Sequence, residues 1–234
     1  MDNQISWRTD MALDIHEALR GRARALSGVA ESIEENPVGR VIKLEVQTEE
    51  AARKMQKPLG TYVTIESASL GLREKKKQKE VSQILAKEIE KYISNLQIDA
   101  PILVIGLGNR EVTPDSLGPL VVEKILVTRH LKNFVPPELS GRLRPIMALA
   151  PGVLGTTGME TLEIVRALVK EHNPQMVLAI DALATNSIER LGITIQIANS
   201  GINPGSGVGN VRAALNQESL GVPVIAVGVP LVVD

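Results

Sequence analysis

Short apolar runs recur through the second half of this chain, and they predict β-strands. Three of them, residues 102–106, 176–180 and 222–233, are apolar almost throughout, which is typical of strands buried on both faces. A shorter run at residues 145–149 predicts a further strand. Residues 193–197 alternate strictly between apolar and polar positions, so we expect a strand there with one face open to water.

Apolar residues spaced three and four positions apart predict helices between these strands. The strongest such pattern covers residues 74–96, whose apolar side chains fall on one helical face. Two further helices are predicted at residues 114–130 and 157–174, and Thr157 with Glu160 matches a capping box. Strands that alternate with helices predict an α/β fold: a doubly wound, largely parallel sheet with helices on both faces.

The N-terminal part of the chain carries weaker patterns. Residues 1–10 form a polar segment, residues 11–30 have a weak helical pattern, and the acidic residues 31–37 predict a loop. Residues 41–46 alternate apolar with polar, and residues 61–66 are rich in β-branched side chains, so both predict strands.

The composition argues against several classes of protein. A net charge of −1 and only four aromatic residues in 234 argue against a nucleic-acid surface, and the absence of cysteine excludes disulfides and thiolate metal sites. The N-terminus lacks the pattern of a signal peptide, and no apolar run reaches the roughly 20 residues that span a bilayer. We therefore expect a cytoplasmic protein that binds neither nucleic acid nor a membrane.

Two aspartates follow two of the most apolar runs. Asp115 opens the helix predicted after residues 102–106, and Asp181 directly follows residues 176–180, so both are expected at one edge of the sheet. The positive helix end favours an ionised Asp115, whereas apolar surroundings favour a neutral Asp181. Such a pair supplies a base and an acid, which indicates a two-aspartate hydrolase without metal or cofactor. The structural alternatives are a helix-start residue for Asp115 and a loop cap for Asp181.

Three glycine-rich loops are predicted at the same edge of the sheet. Glycine lets the backbone approach a ligand closely, so these loops are interpreted as walls of a substrate cleft, with tight turns as the alternative. The candidate cleft residues are Gly108, Asn109, Gly152, Gly155, Gly205 and Gly207. The loops lack the Lys-Ser/Thr of a P-loop and the third glycine of a dinucleotide fingerprint, and no His-Glu-x-x-His motif indicates a metal site.

Several longer motifs resemble those of one known family. They are Gly106-Leu-Gly-Asn109, Val112-Thr-Pro-Asp115-Ser-Leu-Gly118, Ala179-Ile-Asp-Ala-Leu-Ala184 and Gly205-Ser-Gly-Val-Gly-Asn210. Over nearly its whole length the chain resembles the germination proteases of spore-forming bacteria. The resemblance implies an aspartic-type endopeptidase of the spore core, with Asp115 and Asp181 as its catalytic pair. It also implies a homotetramer that initiates degradation of small acid-soluble spore proteins during germination.

The resemblance also implies a zymogen that removes its own N-terminal propeptide. The family cuts after the acidic residue of a Thr-acidic-apolar-Ala pattern, and Thr9-Asp10-Met11-Ala12 fits that pattern. We therefore predict cleavage between Asp10 and Met11, with residues 1–10 as propeptide and residues 11–234 as a single α/β peptidase domain. An ordinary polar tail is the alternative. Family members continue with a C-terminal segment that this sequence does not contain after Asp234.

Other functions stay open beside this one. The implied fold is similar to that of hydrogenase maturation endopeptidases, whose motif also runs from Gly-x-Gly-Asn to an acidic residue six positions on, as Asn109 and Asp115 do. That family usually presents a histidine, for which this sequence has no convincing counterpart. The remaining alternatives are an inactive peptide-binding module of the same fold and a phosphate- or nucleotide-binding domain.

Overall fold

One mixed sheet of eight strands organises the part of the chain that the structure describes. That part, in a computed structural model, comprises residues 8–21, 26–72, 74–131, 134, 136, 142–205 and 212–233. The strands are β1 (Val29–Asn36), β2 (Gly39–Val46), β3 (Gly60–Glu66), β4 (Ile102–Gly106), β5 (Ile146–Leu149), β6 (Met176–Thr185), β7 (Thr194–Ala198) and β8 (Val224–Val233). The α-helices are α1 (Ala12–Arg20), α2 (Glu49–Met55), α3 (Lys75–Ile93), α4 (Leu117–Lys124), α5 (Leu154–Thr157), α6 (Thr161–His172) and α7 (Gln217–Leu220).

The sheet is parallel on one side and antiparallel on the other. The strand order is β1-β2-β3-β7-β8-β6-β4-β5. The pairs β8–β6, β6–β4 and β4–β5 are parallel, as the alternation of strands and helices predicts. The four pairs from β1 to β8 are antiparallel, so the prediction of a largely parallel sheet holds only for the half made of β8, β6, β4 and β5. Because β1, β2 and β3 join through hairpins or a short helix, no long parallel crossover forms between them.

Strand β1 replaces the loop that its acidic composition predicts. None of the eight residues of β1 is buried, because β1 is an edge strand that pairs with β2 alone. Charged side chains on an edge strand also block unwanted pairing with other chains. A turn at Asn36 closes the hairpin, where its Oδ1 accepts a 3.1 Å hydrogen bond from the Val38 N–H. The period-2 signal is therefore missing although the strand is present.

Several helices are shorter than predicted, and α2, α5 and α7 are not predicted at all. Helix α1 ends at Arg20 instead of near residue 30, and α4 ends at Lys124 because Ile125 turns to extended backbone. The capping box lies three residues later than expected, at Glu160, whose N–H donates to the Glu163 carboxylate. Helix α2 starts at the unrecognised cap Thr48, whose hydroxyl accepts from the Ala51 N–H.

Helices cover both faces of the sheet, as predicted. Helices α1, α2 and α6 pack against the face that carries Leu44, Ala179 and Ala226, which we call the α1 face. Helices α3 and α4 pack against the opposite face, which carries Val104 and Ile197. Strand β7 is buried at all five positions because it lies between β3 and β8, so the expectation of a water-exposed face there is wrong. Among the described helices, none has the length and apolar character needed to cross a membrane.

Candidate active site

The first candidate carboxyl, Asp115, lies in a 3-10 turn, Thr113–Asp115, just before α4. Its Oδ2 atom accepts a hydrogen bond of 2.7 Å from the backbone N–H of Asn109. Gly108 makes this contact possible, since its φ is +106° and a Cβ there would stand 2.0 Å from the carbonyl oxygen of Asp115. The loop after β4 therefore folds back onto Asp115 because residue 108 is a glycine.

The second candidate carboxyl, Asp181, lies within β6 and not at its end. Strand β4 pairs with β6 as far as Gly106 and Ile180, while β8 continues alongside and pairs Gly228 with Asp181. Asp181 thus stands one position beyond the carboxyl end of β4, which is the edge where open α/β sheets build their sites. It is 5% exposed, and its Oδ1 accepts from the Ala182 N–H at 2.9 Å.

A cleft of about 300 Å³ is lined by both aspartates, and we call it the carboxyl cleft. Its walls also include Asp10, Glu160 and Arg212, which form a polar rim. The structure therefore brings together Asp115 and Asp181, as the strand pattern predicts. Among the described residues, no three His, Asp or Glu side chains are grouped as a set of metal ligands would be.

The predicted glycine loops contribute unequally to the carboxyl cleft. Each of the three loops supplies one lining glycine: Gly108, Gly152 and Gly205. Asn109 contacts Asp115 through its backbone and is not part of the lining. Gly155 lies in α5 outside the lining, and Gly207 falls outside the described residues.

The two carboxyls have raised pKa values to different extents. Burial raises the pKa of Asp181 well above its usual value, and the neighbouring carboxyls of Asp115 and Asp10 raise it further. Burial also raises the pKa of Asp115, although the hydrogen bond from the Asn109 N–H opposes this. The expected lowering by the helix end is therefore outweighed by burial. The two carboxyls of this cleft therefore differ in burial and in how far their pKa values are raised.

The N-terminal segment enters the carboxyl cleft through Asp10. The Asp10 N–H donates to the Ala184 carbonyl at 2.9 Å, and the Ala184 N–H donates to Asp10 Oδ2 at 2.8 Å. One backbone hydrogen bond and one bond to the Asp10 carboxylate thus join the segment to Ala184 of β6. Thr9 is 4% exposed and Met11 is fully buried, so the Asp10–Met11 bond lies inside the molecule.

A second cavity, of about 440 Å³, adjoins the first and shares Asp10 and Leu183 with it. It is lined by Lys57 and Gln196, and both side chains donate to the carbonyl oxygen of Asp10. Burial lowers the pKa of Lys57, while the carboxyls of Asp10 and Asp14 oppose this shift. We call this space the Lys57 cavity.

A buried ion pair fixes the helix that follows the segment. Asp14, in α1, accepts hydrogen bonds from Thr9 Oγ1 at 2.7 Å, Thr185 Oγ1 at 2.8 Å and Arg190 at 2.5 Å. Arg190 also binds Glu17 at 2.7 Å and Glu66 at 2.9 Å. Because Thr185 ends β6, this network ties α1 to the same strand that carries Asp181.

Sequence reasoning does not find Lys57, Gln196 or Arg190. The alternation at residues 193–197 predicts an exposed Gln196, but β7 is central and Gln196 is only 7% exposed. Lys57 follows a helix rich in charged residues, where one more lysine carries no signal. The one sequence signal for the role of Arg190 is its place a few residues before a short predicted strand.

Comparison with known proteins identifies one family over most of the chain. The family model described as germination protease matches residues 8–234. A germination protease of Clostridium perfringens is 48% identical over 231 residues, which cover 97% of this chain and 70% of that protein. A germination protease of Bacillus velezensis is 44% identical over 238 residues, which cover 99% of this chain and 64% of that protein. A germination protease of Caldanaerobacter subterraneus is 46% identical over 227 residues, which cover 97% of this chain and 69% of that protein.

These relatives are longer than the present chain, which spans about two thirds of the length of the curated relatives it matches. The match includes both aspartates, the N-terminal segment from residue 8 and all eight strands of the described sheet. By its sequence, therefore, the chain belongs to the germination protease family.

Proposed function

We propose that this chain is an aspartic-type endopeptidase whose water-activating pair is Asp115 and Asp181. The observation that carries the proposal is the shared cleft, in which the carboxyl of Asp115 helps to raise the pKa of Asp181. Two carboxyls close enough to influence each other do not both ionise readily. One of them therefore stays protonated under conditions where the other is charged.

The difference in environment assigns a role to each carboxyl in this proposal. Asp181, buried and beside two carboxyls, is the protonated acid, and the more exposed Asp115 is the base. The base removes a proton from water as the water oxygen bonds to the scissile carbonyl carbon. The C–N bond then breaks as the acid, Asp181, gives its proton to the amine nitrogen. No metal or organic cofactor takes part in this scheme.

The proposed substrates are small acid-soluble spore proteins, degraded in the spore core during germination. Membership of the germination protease family supports this substrate class. Such proteins would bind as extended segments beside β6, with an acidic residue where Asp10 now sits. Assembly as a homotetramer, and a fold shared with hydrogenase maturation endopeptidases, belong to the same proposal.

We further propose that the chain is made as a zymogen and cuts itself between Asp10 and Met11. Residues 1–10 are then the propeptide, and residues 11–234 form a single peptidase domain. Two observations support the site: Asp10 lines the carboxyl cleft, and its N–H donates to the Ala184 carbonyl of β6. Since Met11 is fully buried, cleavage within the same molecule is favoured over attack by a second one.

The function is tested with Asp115→Asn and Asp181→Asn in the full chain. Each substitution should slow cleavage of a small acid-soluble spore protein at least about a hundredfold, the usual contribution of general acid–base catalysis. Asp99→Asn, at an exposed aspartate, is the matched control and should leave the rate unchanged. The N-terminus of the processed chain should be Met11.

Three outcomes would contradict the proposal in different ways. Full activity of either Asn variant would exclude the two-aspartate scheme. Strong inhibition by a metal chelator would favour a metal-dependent peptidase related to hydrogenase maturation endopeptidases. Binding of the spore protein by the unsubstituted chain without any fragments would favour an inactive peptide-binding module.

A further inference from the structure

Two side-chain donors converge on the carbonyl oxygen of Asp10. Lys57 Nζ lies 3.0 Å from that oxygen, and Gln196 Nε2 lies 3.1 Å from it. The donors come from distant parts of the chain, 47 and 186 residues from Asp10. A carbonyl oxygen can accept two hydrogen bonds, and Lys57 and Gln196 supply one charged and one neutral donor. The Asp10 carbonyl oxygen is therefore held by two groups from outside its own segment.

The Gln196 amide is held in the orientation that presents its N–H group. Its Oε1 atom accepts a 2.7 Å hydrogen bond from the Ala12 N–H, so its NH2 group must face the opposite partner, the Asp10 carbonyl. Gln196 is 7% exposed and belongs to the central strand β7. This donor is therefore fixed before any reaction begins, as electrostatic stabilisation of a transition state requires.

Lys57 is positioned by the end of helix α2. Gln56 ends that helix in the left-handed conformation, with φ of 49°, and the Lys57 N–H then donates to the Ala52 carbonyl at 3.2 Å. The ammonium group also lies 3.5 Å from the carbonyl oxygen of Thr9. Lys57 is half-buried, so its charge acts in a space partly shielded from water.

The same residue, Asp10, connects these donors to the catalytic carboxyls. Gln196 pairs with Gly228, and Gly228 pairs with Asp181, so the three residues form one row on the α1 face. At a strand spacing of about 4.8 Å, Gln196 and Asp181 are about 10 Å apart along that row. The Asp10 carbonyl meets Gln196, while the Asp10 carboxyl raises the pKa of Asp181. The peptide group after Asp10 thus lies between the two sets of groups.

We propose that Lys57 and Gln196 are the carbonyl-binding pair of the protease, which stabilises the negative charge that develops on the scissile carbonyl oxygen. This inference rests on the proposed function and adds to it the second half of the catalytic machinery. When the water oxygen bonds to the carbonyl carbon of Asp10, the C=O electron pair moves to the oxygen. The Lys57 ammonium and the Gln196 amide N–H hold that charge until the bond to the Met11 nitrogen breaks and this nitrogen takes the proton of Asp181. Lys57 Nζ and Gln196 Nε2 lie 3.0 and 3.1 Å from the carbonyl oxygen of the intact peptide. These distances are close to the roughly 2.7–3.1 Å expected between such donors and the oxyanion.

Two nearly isosteric substitutions test the pair. Lys57→Met removes the charge, and Gln196→Glu removes the donor while keeping the oxygen that accepts from Ala12. Each should slow the first-order self-cleavage of the full chain by about 100- to 1000-fold, the usual effect of losing one such donor. The controls are Lys54→Met and Gln47→Glu, at exposed positions, which should cleave at the parental rate. Mass spectrometry of the N-terminus follows the reaction, and circular dichroism checks each fold.

A second measurement separates a chemical role from simple docking of the segment. In the Asp181→Asn background, where residues 1–10 stay attached, hydrogen exchange of the Asp10 N–H reports its bond to Ala184. Unchanged protection in both variants, together with slow cleavage, supports the carbonyl-binding pair. Protection lost in proportion to the rate would show that the two side chains only dock the segment, and would overturn the inference.

The inference and the proposed function fail in distinguishable ways. If the parent chain cleaves itself and both variants cleave at the parental rate, the carbonyl-binding pair is excluded while the two-aspartate protease stands. If the parent chain cleaves neither itself nor a spore protein, the proposed function is excluded and the pair with it.

Discussion

Gln196 and Asp181 stand in one row across the sheet, on either side of Gly228. Strand β8 pairs antiparallel with β7 and parallel with β6, so this row crosses the boundary between the two halves of the sheet. The antiparallel half supplies the donor to the Asp10 carbonyl, and the parallel half supplies the buried carboxyl. The candidate site is therefore built where two kinds of strand pairing meet, and neither half contains all of it.

The rate of cleavage should depend on pH with two limbs. Activity should fall at low pH, as Asp115 becomes protonated and can no longer accept a proton from water. It should also fall at high pH, as Asp181 loses the proton that it donates. Because burial raises the pKa of both carboxyls, both limbs should lie above the value near 4 of an ordinary aspartate. The two midpoints belong to the coupled pair and not to single residues.

The measurement is the self-cleavage rate of the full chain across a pH series at constant ionic strength. A profile that rises through an acidic limb and then stays flat would exclude a protonated Asp181 as the acid. A profile centred near pH 4 would mean that burial does not perturb the pair.

Asp181→Asn should stabilise the folded protein at neutral pH. The folded state favours protonated Asp181, whereas the unfolded chain titrates near the ordinary value. Between these two pKa values the folded state binds more protons, so the free energy of unfolding decreases as pH rises. Asparagine removes this dependence and keeps an oxygen for the Ala182 N–H. We expect a gain of roughly 0.5–2 kcal/mol, as for other relieved functional sites.

Urea denaturation of the uncleaved chain at pH 7 and at pH 4 tests this stability effect. The advantage of the Asn variant should shrink towards pH 4, where Asp181 is protonated in the folded state and about half protonated in the unfolded chain. Asp99→Asn, exposed to solvent, should change the free energy of unfolding by less than about 0.5 kcal/mol at either pH. An Asn variant less stable than the parent at pH 7 would show that the Asp181 carboxyl stabilises the fold.

Gly118→Ala should disturb the packing of α4 against β6 and the loop after β4, beside the candidate site. A Cβ at Gly118 would lie 2.2 Å from the Leu107 carbonyl oxygen and 2.6 Å from that of Ile180, both backbone atoms that cannot rotate away. We expect a loss of about 1–3 kcal/mol, typical of overpacking. Gly155→Ala is the control for stability, because a Cβ there meets no atom within 4 Å. Thermal melts compare the two, and equal melting temperatures would show that α4 moves without cost.

Local pattern predicts the parallel half of the sheet because its strands are continuous apolar runs. β4 and the first half of β6 are found in this way, and so is the edge that Asp115 and Asp181 share. The extension of β6 beyond Asp181 is not found, since it depends on pairing with β8. The same holds for β1, whose strand conformation depends on pairing with β2 and not on burial.

The two donors to the Asp10 carbonyl, Lys57 and Gln196, are positioned by contacts between residues that are far apart in the sequence. Nothing near Lys57 in the sequence indicates that it meets Asp10, because that contact requires α2 to pack beside α1. Gln196 has the polarity of a solvent-facing strand position, and only the sheet order shows that it is buried. Periodicity therefore predicts the carboxyls, whereas the carbonyl donors require the tertiary structure.

Arg190→Met should be strongly destabilising because it leaves the buried Asp14 carboxylate without its positively charged partner. The Asp14 side chain is fully buried, and the Arg190 side chain that pairs with it at 2.5 Å is 10% exposed. Removing one partner of a buried ion pair costs about 3–5 kcal/mol. Loss of this pair should also slow the proposed self-cleavage, since Asp14 accepts a hydrogen bond from Thr9, next to the proposed cleavage site.

Arg40→Met is the matched control. Arg40 binds Glu66, which Arg190 also binds, at 2.6 Å, but its side chain is 44% exposed. An exposed pair contributes less than about 1 kcal/mol, so this variant should unfold in nearly the same urea concentration as the parent. The double variant Arg190→Met with Asp14→Asn should recover part of the lost stability, since the buried charge is then gone. Equal losses for Arg190→Met and Arg40→Met would mean that the burial of Asp14 carries no cost, and that α1 is held by its apolar face alone.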